Sequence, residues 1–195
     1  MTLSTQRLLL ASMLVALAAC TPRTSPQAAS GSTGCLPSGD GYLRVRMRGS
    51  TDLDINWRDA DMQCAGGLRP QQRGLSVTFA GPAGSGRVRF VFGLDVSADA
   101  SVTRNVPTNV TVIFEGKNRW YSTHGDDRCT VDELDERPLS GAHGARTRLR
   151  RVRARGFCVE PAQAIGVAAD PADQLLLSRF DFAGSIEVPE EEKTG

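Results

Sequence analysis

The stretch GYLRVRMRGSTDLDINW, residues 41–57, decides the class of the fold. Leu43, Val45 and Met47 alternate with Arg44, Arg46 and Arg48. After Gly49 and Ser50 the same beat returns, with Leu53, Ile55 and Trp57 set among Asp52, Asp54 and Asn56. A period of two puts one set of side chains on each face of a strand, whereas a helix would need a period of about 3.6. Such strands bury the apolar face and turn the charges to water. The beat continues outward in Leu75-Val77-Phe79, Val88-Phe90-Phe92-Leu94 and Val110-Val112-Phe114, and more faintly in RWYST (119–123) and CTVDEL (129–134). Gly, Pro, Asn and Asp gather between these runs, as turns require. The prediction is an all-β fold, an antiparallel β-sandwich or barrel of eight or nine strands over residues 35–188. That span suits one core of ordinary size.

DPADQLLLSRFDF (170–182) breaks the beat. Asp170 as a cap and Pro171 at a first helical position predict a brief helical turn. Phe180 and Phe182 then alternate with polar residues, so the turn should feed a final strand, Leu175 to Val188.

RTRLRRVRARGFC (146–158) holds six arginines within ten residues. From Arg151 they alternate with small or apolar residues, which is strand spacing. The acidic segment DDRCTVDELDE (126–136) lies just upstream across the turn PLSGAHGA, so a charged hairpin is expected. With Cys129 opposite Cys158, Asp132 would face Arg155 and Glu136 would face Arg151. Opposite charges directly across a strand pair contribute about 0.2–1 kcal/mol each. The rival reading makes Arg151, Arg153 and Arg155 a surface for an anionic partner, such as an anionic glycolipid or an acidic envelope protein. Nucleic acid fits poorly, because the chain carries 23 basic and 22 acidic residues and so no global basic field.

Of five cysteines, Cys35, Cys64, Cys129 and Cys158 fall in the β-rich span. An even number predicts two disulfides if the chain is exported, for which residues 1–20 give the grounds, with three connectivities open; sequential pairing, Cys35–Cys64 and Cys129–Cys158, is favoured. Both pairs are separated by 29 positions, but the segments between them do not align, so there is no repeat. With no CxxC and only two histidines, zinc is disfavoured.

The fifth cysteine closes MTLSTQRLLLASMLVALAAC, residues 1–20. Arg7 precedes the apolar run Leu8 to Ala19, and small residues precede Cys20, the order of a signal peptide. The run is too short for a membrane-spanning helix, which needs about 20 apolar residues. Leu17-Ala18-Ala19-Cys20 resembles the lipobox of bacterial lipoproteins. That resemblance implies removal of residues 1–19 and acylation of Cys20. Anchoring through several acyl chains would follow, and Thr21 after the cysteine would favour the outer membrane. Residues 20–34 then read as a flexible tether, reaching roughly 20 Å, and 189–195 as an acidic tail. In layout the chain is similar to small, disulfide-containing β lipoproteins of the bacterial envelope, some of which inhibit host lysozymes.

Motifs for catalysis fail on inspection. GPAGSGRV (81–88) has Arg87 where a phosphate loop needs Lys, and it precedes a strand pattern, so a hairpin turn is expected. DLDINWRDAD (52–61) has Trp57 where a calcium loop needs Gly, which leaves at most a loose site at Asp59 and Asp61. The Asn109 sequon reads as chance composition. His124 and His143 sit in Gly-flanked loops, and no GxSxG, HExxH or activated cysteine accompanies them. The expectation is a lipid-anchored envelope protein acting as a non-catalytic binding or structural module, with no cofactor or metal. Two alternatives stand beside it: an inhibitor of an enzyme at the cell surface, and a secreted hydrolase using His124 with Asp126 or Asp127.

Overall fold

The computed structural model describes residues 35–69, 73–96, 102–140, 147–166 and 170–189. Signal peptide, Cys20, tether, His143 and the tail beyond Pro189 lie outside the described residues. Within them run β1 (Tyr42–Gly49), β2 (Leu53–Arg58), β3 (Gln63–Leu68), β4 (Leu75–Ala83), β5 (Gly86–Leu94) and β6 (Val102–Thr103). There follow β7 (Val106–Glu115), β8 (Arg119–Ser122), β9 (Cys129–Pro138), β10 (Thr147–Cys158), β11 (Ala162–Ile165) and β12 (Gln174–Pro189). The fold is all-β and antiparallel, with one short 3-10 turn at Asp59–Asp61.

Twelve strands replace the expected eight or nine, and the additions β3, β6 and β11 all lack an apolar beat. In β3, QCAGGL, the glycines are a packing requirement. A Cβ on Gly66 would stand 2.6 Å from Ile186 Cγ2 and 2.8 Å from the Ser76 carbonyl oxygen, and one on Gly67 would stand 3.0 Å from the Glu187 carbonyl oxygen. Only Gly lets β3 lie this close to β12. The helical turn expected at Asp170 is also corrected. Asp170 Oδ1 accepts the Ala172 amide at 2.8 Å and its carbonyl accepts the Asp173 amide at 2.9 Å, a tight turn closed by the Asp side chain. GPAGSGRV forms the hairpin turn between β4 and β5, with Gly84 at φ 58°.

Hydrogen bonding runs β3-β4-β5-β7-β8-β11-β12-β10-β9-β6, while β1 takes the other edge of β12 and carries β2. Residues 106–108 of β7 pair with 131–129 of β9, so β7, β8, β11, β12, β10 and β9 close into a ring. β6 continues along β9 in the register of those residues, interrupted at Asn105, whose φ is 55°. β7 thus starts against β9 and ends between β5 and β8, turning the corner between two layers.

The layers meet in an aromatic core. Phe79 and Phe92 face Phe180 and Phe182, and Phe90 stands beside Phe92, with ring centroids 4.8–6.4 Å apart; three of these six pairs are tilted, one is edge-on and two are stacked. Each such pair contributes about 0.5–1.5 kcal/mol beyond area burial. Trp57 lies across Gly81, where any Cβ would come within 2.8 Å of the indole, and its Nε1 donates to the Pro82 carbonyl at 3.0 Å. The disulfides are Cys35–Cys64 and Cys129–Cys158, the sequential pairing. Each closes a loop worth about 3–4 kcal/mol in the chain-entropy model.

Candidate functional site

The outer face of β2-β1-β12-β10-β9 carries most of the chemistry, and two β-bulges arrange it. In β12, Leu175 and Leu177 are buried, and so are Phe180 and Phe182, an odd step that strict alternation cannot accommodate. The strand answers with an extra residue, Ser178, where pairing with β1 passes from Arg46↔Arg179 to Met47↔Leu177. Ser178 and Arg179 are consequently both exposed. In β9 the odd step separates buried Val131 from buried Leu134, and Asp132 is the extra residue.

The second bulge corrects the hairpin register. Cys129 does face Cys158, and Gly156 faces Val131, but beyond that point every partner moves by one. Arg155 faces Glu133 rather than Asp132, and Arg151 faces Arg137 rather than Glu136. Glu136 turns inward, 2 % exposed, with its Oε1 2.7 Å from Arg150 Nε. A one-residue slip exchanges the faces of everything after it.

Across the face, one row reads Asn56, Arg44, Asp181, Arg155, Glu133 on successive strands. Asp181 is nearly buried; it accepts the Tyr42 hydroxyl at 2.7 Å and lies 3.7 Å from Arg44. Burial pushes the Tyr42 phenol up, and its bond to Asp181 adds to the effect. Arg153 hydrogen-bonds the same phenol, which raises the guanidinium further. Arg155 is 3.6 Å from Glu133. Arg151 holds Asp40 Oδ2 at 2.6 Å, and Asp40 sits below the ordinary carboxylate range chiefly through its bond from Ser38. Of the three arginines expected to meet an anion, Arg151 and Arg153 therefore already have a hydrogen-bonded partner within the chain, and Arg155 has the longer contact to Glu133.

Two other cations on this face differ. Arg46 and Arg179 are directly opposite across β1 and β12. Arg46 Nε is 3.6 Å from Asp54, but Asp54 gives both oxygens to Arg48, at 2.8 and 3.0 Å. Among the described residues no carboxylate pairs with Arg179. Sequence reasoning passed over Arg179; the signal was the odd step from Leu177 to Phe180.

The remaining candidates have structural employment. Asp59 Oδ1 accepts the amides of Cys35, Leu36 and Gly41 at 2.9, 2.9 and 3.1 Å, and Asp61 caps its own turn at the Arg58 amide. Asp59 thus serves as an amide cradle for the start of the domain. His124 is exposed at φ 50°, held through its backbone amide by Ser122. Asp126 is bound to buried Arg69, and Asp127, highly exposed, lies 3.7 Å from Arg128. Away from these strands, on β8, Trp120 is 48 % exposed between Ile113 and Ile165 on neighbouring strands. Beside it Tyr121 points inward and donates to Asp173 at 2.8 Å; burial first, then that bond, push its phenol up to about 12.

No protein-family model, curated protein or solved structure matches this chain.

Proposed function

We propose that the protein is a lipid-anchored binding module of the bacterial envelope, without catalysis of its own, whose β2-β1-β12-β10-β9 face meets an anionic partner. The address rests on the lipobox at Cys20, the two disulfides agreeing with an oxidising compartment. The binding role rests on one observation: this face carries the like-charge pair Arg46 and Arg179 with no carboxylate given over to it. Elsewhere on the same face Arg137 and Arg151 are also opposite each other, yet Asp135 and Asp40 neutralise them at 3.0 and 2.6 Å.

The test is capture of envelope components on the mature, oxidised chain at low and at physiological salt. One saturable partner retained at physiological salt is expected; screening weakens exposed charge contacts and largely removes those acting beyond about 8–10 Å. Loss of all binding on adding salt would reject the reading. If the retained partner is an enzyme that loses activity in the complex, the module is an inhibitor.

A further inference from the structure

A groove of about 380 Å³ lies over β1, β2 and β12, lined by Arg44, Arg46, Arg179, Asp54 and Asp181. Its carboxylates are occupied at close range from elsewhere. Asp54 is held by Arg48, and Asp181 by Tyr42. The groove's own arginines are left with long ionic contacts: 3.7 Å from Arg44 to Asp181, 3.6 Å from Arg46 to Asp54, and none for Arg179 among the described residues; the face of the Arg44 guanidinium lies over the Tyr42 ring, 4.8 Å from its centroid, which leaves its N–H edge open. Separations beyond about 3.5 Å are not hydrogen bonds, so most of these guanidinium donors are available to a ligand. The bulge at Ser178 is a second, independent sign. It aims Arg179 to the surface across from Arg46, although like charges directly opposite on paired strands are destabilising.

We infer that this groove binds a phosphate ester, with Arg46 and Arg179 clamping the phosphate oxygens from two strands and Arg44 closing the third side. Planar guanidinium forks match tetrahedral oxyanions through paired hydrogen bonds. The groove is larger than a bare ion needs, which leaves room for an organic group carrying the phosphate. The inference rests on the reading of this face as anion-binding, and it places the site away from Arg151, Arg153 and Arg155.

The experiment uses the mature, oxidised chain in non-ionic detergent. Inorganic phosphate and a short-chain phosphatidylglycerol, kept below its micelle concentration, are titrated separately by calorimetry, with thermal unfolding run alongside. Saturable binding of either probe is expected, and the probe that binds tells a free phosphate group from a lipid headgroup. Arg179→Ser should weaken it about tenfold, the loss of a charge-assisted hydrogen bond. Arg179→Glu should remove binding altogether and yet raise the unfolding temperature without ligand, because it turns a repulsive pair with Arg46 into an attractive one. A purely structural Arg179 would give the opposite sign. If neither probe binds, or Arg179→Ser binds as well as the original, the inference is overturned. An envelope partner still captured by Arg179→Ser would then leave the broader binding role standing without this site.

Discussion

Glu136 stands where β9 enters the core, and its neighbours decide what it is worth. The side chain is fully covered, that of Arg150 is 19 % exposed, and their closest atoms are 2.7 Å apart. Removing one member of a buried ion pair strands the other charge, at a cost of about 3–5 kcal/mol, whereas replacing both with apolar side chains is often near neutral. Glu136→Ala should therefore lower the free energy of unfolding by about 3–5 kcal/mol, and Glu136→Leu combined with Arg150→Met should recover most of the loss. Urea denaturation of the three proteins decides it; a single-variant loss below about 1 kcal/mol would class the pair with exposed ion pairs instead. The same scale shows what the arginine run does within the chain. Charge and spacing mark Arg151, Arg153 and Arg155 as one surface, but a guanidinium is available only if nothing in the chain claims it, and Asp40 claims Arg151 from 111 positions away.

Strands carry the next level of decision, and their bulges more than their lengths. Val131 to Leu134 and Leu177 to Phe180 are steps of three between buried side chains, impossible on one face of a regular strand. Each is rescued by one extra residue, Asp132 and Ser178. Deleting Asp132 should leave Val131, Glu133 and Leu134 alternating in, out and in, so that the pairs Arg155↔Glu133 and Ala154↔Leu134 and the faces of β9 are kept. The deleted chain should unfold close to the urea concentration of the original, whereas inserting one Ala after Leu134 turns Asp135 inward and Glu136 outward and should lower it markedly. Equal stability of the deletion and insertion variants would show that the hairpin can re-register freely. Nine strands were legible because their apolar beats are local properties. β3 was not, since its glycines record the nearness of β12, a segment some 120 positions away. β6, two residues long, and β11, reading AQAI, exist through their partners alone.

At the scale of the molecule, a ring of six strands holds together, and β3 is laid beside β12 with no hydrogen-bonded ladder between them. The Cys35–Cys64 disulfide spans that seam: Ser185 Oγ of β12 donates to the Cys35 carbonyl at 2.7 Å. The disulfide loops have the same separation, 29 residues, so chain entropy alone predicts equal losses of about 3–4 kcal/mol when either pair is replaced by Ala. A larger loss is expected for Cys35 and Cys64, because Cys129 and Cys158 are also fastened by the ladder of β9 and β10. Parallel urea unfolding of the two double variants measures the difference, and equal losses would mean that packing alone secures the seam. By itself the sequence determined the all-β class, that four cysteines form an even set able to make two disulfides, and that Trp57, Phe79, Phe90 and Phe92 point inward, while the pairing of the cysteines was left to the structure. Those follow from periodicity and counting, which need only neighbours along the chain. The bulges, the closed ring, the inward turn of Glu136 and the uncommitted Arg179 were decided only by tertiary structure. Each depends on which distant residue comes to lie opposite, and a period of two does not say which strand that will be.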